Sequence, residues 1–293
     1  MAAVAVSSAA MAQVTISGAL AMGYTKDQTT AGVKTSGYGT DTSQINFSAS
    51  EDLGNGIKAS ALLRIDQLME QNSGSETIRG NGVTLGLSGG FGSVVLSSVE
   101  SGDYLPVDGL TTIGDGSDAD RVTYTTPNIS GFTASLTAQD NIGVIGETRG
   151  TSAATAMTVA YAAGPLSVDV IRTNFRGLKT VGTTVVNSRT GVRASYDFGV
   201  AKVTYGMMTQ DNATAADVTQ TGLTVSAPLG PVTLSAAMAT SKTSGSTTSS
   251  KGRMFGATYN LSKRTNVSYY NEAYDSTGAF DVTESHLLLS HSF

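Results

Sequence analysis

The chain has 293 residues, a formal net charge of −5 and no cysteine. It lacks the basic balance of a general nucleic-acid binder, and the missing cysteine excludes a disulfide framework and thiolate metal sites. Charged residues make up 14%, against about 25% in ordinary globular domains, too few to cover a normal soluble surface. Two classes remain, an extracellular all-β protein with a Ser/Thr-rich surface and a barrel in a membrane.

The first segment, MAAVAVSSAAMA, is small and apolar and ends in Ala10-Met11-Ala12, the pattern of a secretory cleavage site. Residues 1–12 contain no Lys or Arg, so the usual positive n-region is missing, and a flexible small-residue leader stays open as an alternative. The expected organisation is a signal-peptide remnant over 1–12 and a single domain over 13–293. No stretch approaches 18 consecutive apolar residues, which excludes a helical membrane span.

From Gln13 the chain alternates with period two. Val14, Ile16, Leu20, Met22 and Tyr24 oppose Thr15, Ser17, Ala19, Ala21 and Gly23. The spacing predicts a strand long enough to cross a bilayer, with large apolar residues facing lipid. The same alternation recurs around 45–50, 58–66, 83–88, 156–162, 192–198, 202–207 and 254–261. It returns at the end, where Leu287, Leu289 and Phe293 oppose Ser290 and Ser292.

The connections fall into two kinds. Short turns are expected at 52–57, 89–93, 126–132, 162–167, 197–201, 227–232 and 260–266. Longer Gly/Ser/Thr/Asp-rich stretches are expected at 25–43, 67–77, 99–119, 141–154, 175–188, 211–219, 242–251 and 274–284. These connections join sixteen strands, with short turns on one rim and long loops on the other. The predicted fold is therefore an all-β, transmembrane antiparallel barrel whose last strand pairs with the first, because an open sheet edge is not tolerated in lipid. A soluble sandwich or solenoid remains the alternative reading of the alternation.

Alternation also places Lys58, Arg64, Arg121, Arg189 and Arg193 on the polar, water-lining face. Arg79 falls in the outward phase of its strand and requires a bulge or a position above the membrane. The loop 99–119 carries Glu100, Asp103, Asp108, Asp115 and Asp118, with Asp120 at the edge of the next strand, and no basic residue. It reads either as a solvated outer loop or as an acidic wall. Its DGSDAD segment lacks the twelve-residue architecture of an EF-hand, and calcium there stays an open alternative.

In order along the chain, QVTISGALAMGY, SQINFSASEDLGNGIKASALLRID, VTLGLSGGFGSVVLSS, DRVTYTTPNISGF, SRTGVRASYDFG, GATYNLSKRTNVSYY and LLLSHSF resemble the blocks of Gram-negative general diffusion porins of the β-proteobacterial kind. The resemblance covers essentially 13–293. It implies a sixteen-stranded, water-filled channel in the outer membrane, with the third long loop folded inward as a constriction. It also implies a homotrimer among outer-membrane lipid and lipopolysaccharide, passing ions and small hydrophilic solutes without a cofactor.

On that resemblance the constriction comprises Lys58, Arg64, Arg121 and Arg193, facing Asp103, Asp108, Asp115 and Asp118. Arg64 and Arg121 match the family's wall arginines best. Two departures stand out: Ser97 and Ser98 occupy the place of a common family arginine, and the third loop lacks the usual Pro-Glu-Phe-Gly type of stretch. Wall cations favour anions and loop carboxylates favour cations, so the sign of selectivity stays open.

An enzyme is not expected, because the only histidines, His286 and His291, both lie in the last strand. The grouping of Glu284, Ser285 and His286 needs support from upstream to mean anything. A plugged structural or adhesive barrel is the alternative function. A sugar-specific channel is less favoured, because most clear aromatics fall on the outward face, with Tyr270 a candidate inward exception.

Overall fold

The computed structural model describes residues 13–29, 31–66, 79–99, 119–140, 152–177, 180–181, 184–275 and 280–293. The alternating segments form β1 (Gln13–Gln28), β2 (Lys34–Gly54), β3 (Ile57–Asp66), β4 (Arg79–Gly89), β5 (Gly92–Val99) and β6 (Ala119–Thr125). They continue as β7 (Phe132–Asp140), β8 (Ser152–Ala163), β9 (Leu166–Gly177), β10 (Thr180–Val181), β11 (Thr184–Asp197) and β12 (Lys202–Asn212). The last five are β13 (Val218–Leu229), β14 (Val232–Thr243), β15 (Ser250–Asn260), β16 (Thr265–Asp275) and β17 (Phe280–Ser292). The two-residue β10 pairs antiparallel with the start of β11, on the side where β9 pairs further along; the other sixteen strands are the staves of a closed antiparallel barrel.

Closure accounts for the alternation over residues 287–293. β17 pairs with β1 from Ala19↔Ser292 to Gln28↔Thr283, and Phe293 exchanges two backbone hydrogen bonds of 3.0 Å with Gly18. The terminal residue is thus tied into the ladder, and the edge that lipid would penalise is gone.

The barrel is inside out relative to a soluble protein. Its large apolar side chains are exposed on the outer face, with Leu20, Met22, Leu85, Leu136, Met157, Phe255 and Leu289 among them. Its buried apolar residues are mostly small, such as Ala21, Ala154, Ala237 and Ala239. Apolar area gains nothing from leaving water here until a bilayer covers it, so the outer belt fits insertion rather than solution. Phe91, Phe132, Phe198 and Phe293 ring the short-turn rim as outward aromatics, where amphipathic interfaces favour them.

Local chemistry sets the tight rim. In DLGNGI, Gly54, Asn55 and Gly56 take φ of 82°, 53° and 75°, the left-handed region that glycine and asparagine enter most easily. Asp52 Oδ1 accepts the Gly54 N–H at 2.9 Å and braces the turn.

The structure departs from the expected loop at 25–43. β1 and β2 stay paired to Gln28↔Lys34, so most of that stretch is a hairpin projecting beyond the apolar belt. The tip is closed by Thr29 N–H to Val33 C=O at 2.9 Å and Gly32 N–H to Thr29 C=O at 2.8 Å. Above the lipid no apolar face is needed, so polar Thr, Lys and Asp continue the ladder without the alternation that marks a membrane strand. The stretches 211–219 and 242–251 are shortened by strand at both ends, leaving connections of 213–217 and 244–249.

Two of the bulges in the upper wall re-phase β2 and β4. One lies between Ala21/Met22 and their β2 partners Thr42/Thr40, and skips Asp41. The other lies between Arg64 and Ile65, opposite Gly82 and Gly80, and brings Arg79 into register with Asp66. That is the irregularity the placement of Arg79 required.

Candidate functional site

The lumen wall is built from the alternate residues of each stave. On β3, outward Leu63 fixes Arg64 inward, where its Nε donates to Asn46 Oδ1 at 3.3 Å. Asn46 is the cross-strand partner of Arg64 and also accepts Gln44 Nε2 at 2.9 Å. The guanidinium is therefore positioned by neutral amides and keeps its full charge toward the lumen.

On β6, outward Val122 fixes Arg121 inward, and its Nη2 approaches Val99 C=O at 3.5 Å. Following the ladder sideways, Arg121 pairs with Ser97, Ser97 with Thr84, and Thr84 with Leu62. Leu62 is the lumen-phase residue next to Arg64, so the two arginines belong to one sector four staves wide, β3 to β6. Ser97 lies directly across from Arg121. An arginine at that position would set like charges face to face, which costs stability; the serine spares Arg121 that neighbour.

The other expected cations lie elsewhere. Lys58 is six residues from Arg64 on β3, about 20 Å along the strand at ~3.3 Å per residue, beside the short turn and opposite Asp52. Arg193 lies across the barrel on β11, with its Nε 3.0 Å from Asp169 Oδ1 on β9. Arg189 is buried, donates to Gln210 Oε1 at 2.9 Å and sits 5.4 Å from the Phe175 ring centroid, an anchored rather than open charge. Asp103, Asp108, Asp115 and Asp118 lie outside the described residues, as does Glu100. Asp120 is in the outward phase, opposite Ser98 and Asp140, and so leaves the lumen.

Asp169 was not singled out from sequence, although its lumen phase follows from outward Val170. The Arg193 side chain is 43% exposed, so the pair is screened and weak. Asp169→Asn is expected to leave the fold intact and raise the anion-to-cation permeability ratio by about twofold, read as a reversal-potential shift under a salt gradient.

A second charged group also went unassigned. Asp27 on β1, Glu284 on β17 and Glu272 on β16 occupy one row of the ladder near the long-loop rim. His286 lies in the neighbouring row, with Nε2 3.6 Å from Glu284 Oε2 and its ring stacked on Tyr270 at 4.5 Å. Tyr274 Oη donates to Glu284 Oε1 at 3.2 Å. Tyr270 is therefore an inward aromatic, because Tyr269 takes the outward face, and Tyr274 shares its phase.

Ser285 turns the other way, accepting Asn271 Nδ2 at 2.8 Å, so the sequence trio Glu284, Ser285, His286 is divided between two faces. A serine hydrolase arrangement is not assembled from it. His291 is on the outer surface, its Nδ1 2.9 Å from Thr265 Oγ1.

Comparison with known proteins agrees with this architecture. Residues 1–278 match the family described as Gram-negative porin. An anion-selective porin from Comamonas acidovorans superposes with a TM-score of 0.78 at 22% identity, covering 97% of this chain and 100% of that one. A mutant of the Rh. blastica porin gives a TM-score of 0.69 at 17% identity, covering 96% and 100%. No curated protein matches the sequence. With a closed sixteen-stave barrel, an apolar outer belt and a polar, charged inner wall, the chain belongs to the Gram-negative porin family and is a multi-pass β-barrel of the outer membrane.

Proposed function

We propose that this porin is a general diffusion channel whose charge preference is set by a basic wall, centred on Arg64 and Arg121, facing the acidic third loop. The observation that carries the reading is Arg64, held inward by the neutral Asn46 beside a sector that also contains Arg121. Arginine keeps its charge in any environment, and a charge on the wall of a narrow aqueous path acts on every solute that passes. In this reading Asp103, Asp108, Asp115 and Asp118 supply the opposing potential from a loop folded into the lumen, and Lys58 and Arg193 extend the basic field away from the narrowest level. Passage is passive, and the porin needs no cofactor.

The structural relative from Comamonas is an anion-selective porin. The Arg64–Arg121 sector is compatible with that preference here, and the loop acids oppose it. The decisive experiment is single-channel recording in a planar bilayer under a salt gradient. Neutralising the two arginines shifts the reversal potential toward cations, and neutralising the loop acids shifts it toward anions. A folded, inserted protein without conductance would replace the channel by a plugged structural or adhesive barrel.

The assembly proposed is a homotrimer embedded in lipid and lipopolysaccharide, with residues 1–12 removed. Conductance is then expected in triplet steps, and intact mass of protein taken from membranes should begin at Gln13. Single steps only, or retention of residues 1–12, would overturn the respective part.

A further inference from the structure

We propose that Asp27, Glu284 and His286 form a divalent transition-metal site on the lumen wall at the extracellular mouth, across the seam where the barrel closes. The proposal is independent of which charge controls selectivity. Its ligand atoms, one from each residue, all lie within 4.8 Å of one another. The arrangement is fixed by the ladder: Asp27 pairs with Glu284, and Thr25 pairs with His286 one lumen position away.

Three further observations point to a cation. Glu272 stands in the same row on the other side of Glu284, so three carboxylates lie side by side. Like charges directly opposite one another in a sheet are destabilising, and a divalent ion removes that repulsion. Next, Asp27 Oδ1 is shielded from solvent and has no hydrogen-bond partner among the described residues. A buried polar atom left in that state costs stability unless something ligates it. Finally, the neighbours hold the ligands in place, as the groups around a metal site do. Tyr270 stacks on the imidazole, and Tyr274 donates to Glu284 Oε1 and leaves Oε2 toward His286.

The donor set selects the ion. One imidazole and two carboxylates suit zinc and its neighbours in the first transition row, whereas magnesium and calcium prefer oxygen ligands alone. Zinc bonds of about 2.0–2.2 Å in tetrahedral geometry put ligand atoms ~3.3–3.6 Å apart, so side-chain rotations closing up to about 1.5 Å complete the site. Water in the lumen supplies the fourth ligand. Tyr24 and Tyr38, in edge contact on the outside of the same hairpin, mark the upper aromatic rim of the belt. Asp27 lies three residues beyond Tyr24, so the ion is reached from the mouth without crossing the channel.

The test is calorimetric titration of zinc chloride into the refolded protein in detergent, made without an affinity tag. One saturable site per chain is expected, with no comparable binding of magnesium. H286Q and E284Q should each weaken zinc binding by about 10- to 100-fold. D27N, on a different strand, should do the same and covers the case in which a β17 variant does not fold; far-UV circular dichroism reports folding for all three. In bilayers, zinc should shift the reversal potential of wild type toward anions and leave H286Q unmoved. Absence of saturable zinc binding, or equal binding by wild type and all folded variants, would overturn the site. Calorimetry needs no conductance, so its failure is separate from failure of the channel reading.

Discussion

Replacing Arg64 and Arg121 together by glutamine is expected to lower the anion-to-cation permeability ratio by about 5- to 25-fold at low salt. A unit charge in water favours an opposite charge about 4 Å away by ~1 kcal/mol, or about fivefold. Two such charges act on one sector of the wall. Glutamine ends two bonds short of the guanidinium tips but keeps an N–H donor at the position of Arg64 Nε, so Asn46 stays satisfied while the charge is removed. Raising the salt gives an internal control. With a Debye length of about 3 Å at 1 M, the difference between wild type and the double variant should shrink to within about twofold. Each single variant should show an intermediate shift. A double variant with normal conductance and an unchanged reversal potential at low salt would move control of selectivity away from this sector, toward the acidic seam at the mouth.

The phase of Arg64, Arg121 and Arg193 was legible from the sequence, because period two is a local property. Once Leu63 and Val122 are assigned to lipid, Arg64 and Arg121 must face water. What alternation cannot supply is the neighbour across the ladder. Arg193 was recognised as a lumen residue, yet its carboxylate partner Asp169 depends on the β9–β11 register. The same limit hid the seam. Asp27 and Glu284 lie at opposite ends of the chain and become neighbours only through closure.

Bulges are a second limit. Asp41 is the residue that one single-residue shift leaves unpaired, Arg79 lies beyond another, and neither shift leaves a mark in the hydrophobic pattern. The hairpin above β1 and β2 was misread for a related reason: outside lipid, strand pairing continues without the apolar alternation that identifies it. The third loop was legible only as acidic sequence, and its residues 100–118 lie outside the described part of the chain.

Closure carries the largest expected effect on folding, and a pair of glycines isolates it. Gly23 on β1 lies between β2 and β17, and a Cβ added there would stand 1.9 Å from Leu287 O and 2.8 Å from Leu288 Cα. Both are backbone atoms of the closing strand, so no side-chain rotation relieves the contact. Gly39 is the direct cross-strand partner of Gly23 on β2, and a Cβ there would meet nothing within 4 Å. Gly23→Val is therefore expected to destabilise the barrel by about 3 kcal/mol or more, the upper range for overpacking, by forcing β1 and β17 apart. Gly39→Val should be neutral or slightly stabilising, because a β-branched residue replaces glycine in an open strand position. Urea titration of the refolded protein in detergent, followed by circular dichroism, reads both. Equal midpoints for the two variants would show that the β1–β17 ladder yields locally, and that closure does not limit stability. A collapse of Gly23→Val beside a normal Gly39→Val would place the stability of the barrel at its seam. Because β1 is the strand that carries Asp27 to Glu284, the same substitution should then also abolish zinc binding, although no ligand has been touched.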